Sequence, residues 1–425
     1  MIHVADCLPG AGKSTASRNK MRREIGRKRF LYATPYNAEC ERMVAECGDW
    51  LKMPNLSSRQ KTRDVKALMR RGCSVATTHE MINRFDDELI KLARDGKYTL
   101  FLDEAFDTFS KLDLSTDDIS LLTTSGIMSV DENGVCGWTA ESYHGRFDDV
   151  RDACADQRIV LANGGAMIWQ FPIEVFNAFE DVYVLTHMFE TSQLCSYFKI
   201  MGLSYEYIGV RPAEDGYEFC ELDEASDPRS IPSDLVHIYD GAKYNECGKA
   251  WNAFGITWGH RQLDANPELA KEVATGASNI MRNIWKAKAK TTFWTCAKCF
   301  AKALQPAGMQ KTHIAWNTRA TNDYREYDHM IFLHNIFMDV DTKRYLASAG
   351  APIDENQYAL AYLIQWMWRS ALRDGKEVWI YIPSSRMRAL LKQWLGQPLD
   401  GWERQAMIEC ASRGLDNGEC ADNKE

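Results

Sequence analysis

The stretch "LPGAGKST" places two glycines, a lysine and two hydroxyls within six residues, Gly10, Gly12, Lys13, Ser14 and Thr15. Glycines let consecutive backbone amides turn inward around phosphate oxygens, a lysine reaches the outer phosphates, and the serine that follows can ligate magnesium. Pro9, Gly10, Ala11, Gly12, Lys13, Ser14 and Thr15 are therefore expected to cradle a nucleoside triphosphate, with a helix opening at the loop's end and turning free amides toward the anion. The pattern's usual first glycine falls on Cys7. A second constellation, "LFLDEAF", carries Asp103 to the end of an apolar run as the second magnesium ligand, with Glu104 next to it to polarise an attacking water. An Asp-Glu pair alone reads equally as an acidic helix start; paired with Lys13 and Ser14 it reads as triphosphate hydrolysis. No Asn-Lys-x-Asp guanine-reading segment occurs, so ATP with Mg2+ is the expected pair.

These groups need strand ends to hold them. "IHVAD" (2–6), "RFLYAT" (29–34), "CSVATT" (73–78), "YTLFLDEAF" (98–106) and "DVYVLTHMF" (181–189) read as strands alternating with helices, which implies a mostly parallel, doubly covered sheet. Residues 107–165, rich in Asp, Gly, Ser and Thr, read as an insertion, and 212–280 as a linker or insertion holding a domain boundary. A second parallel sheet is expected from "TTFWTC" (291–296), "THIAW" (312–316), "HMIFLHN" (329–335) and "EVWIYIPS" (377–384), with a helix over 355–373. The expected domains are thus 1–211 and 281–415, followed by a polar tail, 416–425. On the long helix, Gln365, Arg369 and Arg373 fall at i, i+4 and i+8, one face. A solvated basic edge is the plain alternative.

The bulk numbers set limits. A 425-residue chain accommodates two domains. With 45% hydrophobic and 26% charged residues it reads as globular, and a net charge of -8 argues against diffuse charge-driven nucleic-acid binding while permitting a local basic groove. Thirteen cysteines and an opening without a basic, apolar leader point to a reducing, cytoplasmic setting, and no run is long enough to span a membrane. The segment "RNKMRREIGRKRF" (18–30) has seven basic residues and one acidic one; backbone contact and a solvated helix face are its two readings.

The order of these motifs resembles the superfamily two helicases over most of the chain. "LPGAGKST" is similar to motif I, "DEAF" to the DEAD-like box, "ATPY" to motif Ia through Thr34, and "ATTHEM" to the backbone-touching segment before that box through Thr77, Thr78 and His79. "LTHMF" resembles motif III, which couples hydrolysis to the nucleic-acid site, at Thr186 and His187. "TRATNDYREYDHMIF" looks like the motif V of viral and type-III-restriction-like members, with Arg319, Thr321 and Asn322 at matching positions. "QWMWRSALR" resembles motif VI, where Gln365 and Arg369 match, Trp368 replaces a glycine and Arg373 falls one residue late. The resemblance implies tandem RecA-like P-loop NTPase domains, ATP and Mg2+, Arg369 as a finger on the gamma phosphate, and movement on or unwinding of nucleic acid, DNA foremost. It also implies a phage or viral protein in the host cytoplasm, working beside replication or recombination proteins.

Rival readings are a terminase-like packaging ATPase, a nucleotide-gated switch without motor activity, and a small-molecule kinase. The first needs an acidic nuclease cluster, for which the second half offers Asp339 and Asp341.

Overall fold

Strand Tyr98–Asp103 is buried at every position and Arg29–Thr34 at all but its first. Continuous apolar runs of this kind suit strands covered on both faces. The computed structural model describes residues 1–55, 60–140, 143–162, 165–224, 233–318 and 324–414; the motif V positions Arg319, Thr321 and Asn322 and the tail 416–425 lie outside them. By packing, the chain forms two units. The first comprises Met1–Asp6, Gly12–Ala225 and Met338–Ile353, the second Cys7–Ala11, Ser226–Phe337 and Asp354–Glu425.

In chain order the first unit carries β1 (Ile2–Asp6), β2 (Arg29–Thr34), β3 (Leu51–Lys52), β4 (Ser74–Thr78), β5 (Tyr98–Asp103), β6 (Phe109–Lys111), β7 (Met128–Val130) and β8 (Cys136–Trp138). It continues with β9 (Ile159–Leu161), β10 (Met167–Gln170), β11 (Asp181–Thr186), β12 (Tyr205–Ala213) and β13 (Gly216–Glu221). The main sheet runs β13-β12-β1-β11-β5-β2-β4-β3. Every pairing in it is parallel except β12 with β13. The register aligns the carboxyl ends: Asp6 opposite Thr186, Asp103 opposite Leu185, Thr34 opposite Thr78. Loops leaving that edge are where an open α/β sheet binds ligands.

Residues 109–170 build a small antiparallel body, β6-β10-β9 beside the hairpin β7-β8. It has a core of its own, with Leu122, Met128, Cys136, Ile159 and Met167 buried together. Helix Val340–Ser348 belongs to this unit: Asp341 pairs with Lys111 at 2.6 Å, and Tyr345 packs on Phe109 while accepting from Gln170. Asp339 caps that helix, its carboxylate accepting from the Thr342 amide at 2.8 Å. Both acids weighed as nuclease candidates are thereby occupied in structure.

The second unit holds β14 (Val236–Ile238), β15 (Thr292–Cys296), β16 (His329–Leu333) and β17 (Val378–Tyr381) in the parallel order β14-β17-β16-β15. Two expectations are corrected here. Residues 312–316 form no strand: the chain turns just before them (Thr312 N to Met309 O, 3.3 Å) and just after (Thr318 N to Ala315 O, 3.0 Å), leaving only a bridge from His313 to Trp294. The helix expected to reach 373 stops at Met367. Ser370 is extended, with its hydroxyl donating to Met367 O at 2.6 Å and accepting from the Leu372 amide at 3.3 Å, and a short 3-10 turn, Ala371–Asp374, follows. A serine that bonds its own neighbourhood competes with continued helix. Only Gln365 is therefore on the helix; Arg369 and Arg373 leave it and share no helical face with it.

Two fully buried arginines fix this unit. Arg386 donates to Asn356 Oδ1, Asn335 Oδ1, Ile336 O and Glu355 O at 2.8 to 3.1 Å. Arg388 donates to Glu403 at 2.6 Å and to the carbonyls of Ile382 and Pro383, while Lys392 bridges Glu403 and Asp240. Stretch 212–280 carries the end of β12, β13, β14 and helices Ile256–Gln262 and Pro267–Asn279. No described helix is long and apolar enough to cross a membrane.

Candidate nucleotide site

The glycine loop joins β1 to helix Lys13–Arg23, as the spacing predicts. Gly10 and Gly12 have φ of 79° and 92°, a region where a side chain is strained, so both positions need glycine. The Gly12 carbonyl accepts the first helical bond, from Ala16 N at 2.8 Å. Lys13 is buried, only 7% exposed.

Ser14 and Asp103, 89 residues apart in sequence, meet: the serine hydroxyl donates to the carboxylate at 3.1 Å. Tyr32, on the neighbouring strand β2, donates its phenol to the same carboxylate. Burial and the adjoining carboxylate push that phenol well above its ordinary range, so it stays a proton donor. A hydroxyl and a carboxylate side by side at a strand end form a donor set suited to Mg2+, which prefers oxygen ligands and retains waters. Glu104 follows at φ 73°, its amide held by Leu185 O at 2.8 Å. A non-glycine residue in that region costs on the order of 1–3 kcal/mol and is characteristic of functional positions.

Three further residues complete this edge. Asp6 ends β1; burial pushes its carboxyl up, against the Phe189 amide that donates to it at 2.8 Å and the positive charge of Lys13. His187 is pushed down to about 3 by burial and then by Lys13, so the imidazole is neutral. Its Nε2 is buried without a hydrogen-bond partner among the described residues. Thr186, beside it on β11, is almost fully buried.

The motif Ia and pre-box positions line the same carboxyl edge on β2 and β4. Thr34 is fully buried, its hydroxyl donating to Tyr36 O at 2.9 Å to shape the turn after β2. Thr77 is buried, with its carbonyl accepting from Cys40; Thr78 is half-buried, and His79 packs 5.4 Å from the ring of Phe106. In the second unit, Arg369 is buried and Gln365 and Arg373 are half-buried. The basic run 18–30 is largely neutralised in place: Arg18 pairs with Glu46, Lys20 with Glu24, Arg23 with Glu218 and Lys28 with Asp181.

Sequence reasoning missed Asp6, Tyr32 and the hairpin β12–β13. Asp6 was readable as the polar residue closing an apolar strand; Tyr32 becomes meaningful only once β2 is known to lie beside β5.

Residues 109–169 match the family described as the YonV middle domain, and 231–395 the family described as the YonV C-terminal Rossmann-like domain. The SPbeta prophage-derived uncharacterized protein YonV of Bacillus subtilis (strain 168) is 29% identical over 409 residues, spanning 93% of this chain and 98% of that protein. Among solved structures, Xpd4 of S. tokodaii is similar with a TM-score of 0.47 at 11% identity, over 93% of this chain and 94% of that one. The DUF1998 helicase MrfA bound to DNA and AMPPNP is similar with a TM-score of 0.36 at 9% identity, over 96% of this chain and 51% of that one.

Proposed function

We propose that the chain is a nucleic-acid-dependent ATPase, a translocase or helicase that couples ATP hydrolysis to movement on DNA. The observation that carries the reading is the meeting of Ser14 and Asp103 at the carboxyl edge of a parallel sheet, beside Lys13 and next to Glu104. In this reading the amides around Gly10 and Gly12 and the Lys13 ammonium bind the phosphates, and Ser14 and Asp103 hold Mg2+. When bound, the metal neutralises charge developing on the transferred phosphoryl group. Glu104 accepts the proton of the attacking water. His187, neutral, offers a nitrogen unpaired among the described residues, near the charge of Lys13. Arg369 is assigned to the gamma phosphate by the motif VI resemblance alone, with Gln365 and Arg373 as the motif's other catalytic candidates. That each unit is a RecA-like domain, with the boundary expected within 212–280 falling between β13 and β14, and that Arg319, Thr321 and Asn322 make motif V contacts belong to the same proposal. A phage setting is supported by the prophage-derived relative; replication or recombination proteins as partners and the host cytoplasm as location follow from the helicase resemblance alone.

The test is ATP turnover by the purified chain alone and with single-stranded DNA, duplex DNA or RNA. Stimulation by one polymer, lost in Lys13→Ala and in Arg369→Ala, is expected. Turnover indifferent to every polymer contradicts the motor and leaves a switch, packaging or kinase role.

A further inference from the structure

The glycine loop is held on both sides by one element that the nucleotide motifs do not include. Strand β12 pairs in parallel with β1, the strand that enters the loop. Strand β13, its hairpin partner, lies along the helix that leaves the loop, and three contacts zip the two together. The Tyr217 ring sits where a Gly12 side chain would be: a Cβ built there meets ring carbons at 2.3 to 2.5 Å. Asn19, buried, donates through Nδ2 to Asp215 O at 2.8 Å and to Tyr217 O at 3.0 Å. Arg23 pairs with Glu218 at 2.9 Å. Phe219, two residues from Tyr217 and so on the same strand face, stacks on Tyr183 of β11 and anchors the hairpin to the sheet.

We propose that the hairpin β12–β13 is a clamp on the phosphate loop, and that Tyr217 is a positioning residue which holds Gly12 in its left-handed conformation. A glycine at positive φ is free to leave it. An aromatic ring against its Cα removes that freedom before any ligand arrives, and a preorganised loop binds its anion without the cost of ordering. Gly12 is then glycine for two reasons, its φ and the ring that fills its side-chain space. For its consequence in nucleotide affinity the clamp rests on the function proposed above; for its effect on the loop it does not.

Hydrogen-deuterium exchange on the free, full-length protein reads the clamp directly. Tyr217→Ala is expected to speed exchange of the Ala11 and Ala16 amides, which are bonded to Leu8 O and Gly12 O, by on the order of tenfold, while Tyr217→Phe, which keeps the ring, retains wild-type protection. Should Tyr217→Ala not fold, Asn19→Ala, which removes two bonds to the hairpin turn, is expected to move the same amides in the same direction. Unchanged exchange in whichever alanine variant folds overturns the clamp. A second readout separates the two proposals: MgATP dissociation constants should rise on the order of tenfold in Tyr217→Ala and return in Tyr217→Phe. If loop exchange responds but wild type binds no MgATP, the clamp stands and the nucleotide reading falls. If wild type binds MgATP and the Tyr217→Ala loop is as protected as wild type, the clamp alone falls.

Discussion

Each unit buries a cluster of charge, and the two clusters are finished differently. In the second unit Arg386 spends its donors on two asparagine oxygens and two carbonyls, and Arg388 closes on Glu403 with Lys392 beside it. At the carboxyl edge of the first unit, burial raises Asp6, His187 keeps a nitrogen unpaired among the described residues, and Glu104 sits at a strained φ. Buried polar groups are normally satisfied, because leaving one unmade costs about 1–3 kcal/mol. A cluster completed by its own chain serves the fold; one that keeps a buried imidazole nitrogen without a partner among the described residues, beside a glycine loop, is suited to a polar group brought by a ligand.

Substitutions test that contrast. Arg388→Ala leaves Glu403 and Lys392 buried with a broken partner set, and is expected to cost about 3–5 kcal/mol in denaturant unfolding. Asp103→Asn should change the same measurement by no more than about 1 kcal/mol; an equal loss would break the comparison. Lys13→Ala is expected to lower ATP turnover by about 10²–10³-fold with its unfolding midpoint little moved, as read by turnover and melting on the same preparation.

Acid sharpens the comparison, because each unit buries a histidine. Burial holds His187 down to about 3 and His334 down to about 4. The unfolded chain takes up these protons below about pH 6.5 while the folded chain does not. Stability is therefore full above that pH and falls as pH drops toward 4 and 3. The loss is about 2 kcal/mol per ring at pH 5. His187→Gln and His334→Gln should each flatten the slope of unfolding free energy between pH 7.5 and 5; an unchanged slope contradicts buried neutral rings. The smallest effect is expected from Tyr32→Phe, which removes one donor to Asp103 and should shift the magnesium needed for half-maximal turnover by about fivefold.

Much of the first unit was legible because parallel strands announce themselves. β1, β2, β4, β5 and β11 are apolar runs ending in Asp6, Thr34, Thr78, Asp103 and Thr186, and register alone brings those ends to one edge. The contact of Ser14 with Asp103 follows from that edge. Less was legible where one side chain decides. A helical period runs through Gln365, Arg369 and Arg373, yet the two bonds made by the Ser370 hydroxyl end the helix between them. The strand expected at 312–316 is reduced to one bridge by turns on either side. Tyr217 was invisible because nothing in "EDGYEFC" says which glycine its ring will cover.

Binding of a magnesium nucleoside triphosphate at this edge is read by titrating ATP calorimetrically into the wild-type chain with and without Mg2+, and into Lys13→Ala and Asp103→Asn. One Mg2+-dependent binding event is expected, lost in Lys13→Ala and stripped of its Mg2+ dependence in Asp103→Asn. Absence of binding by the wild type, or binding untouched by both substitutions, would contradict it.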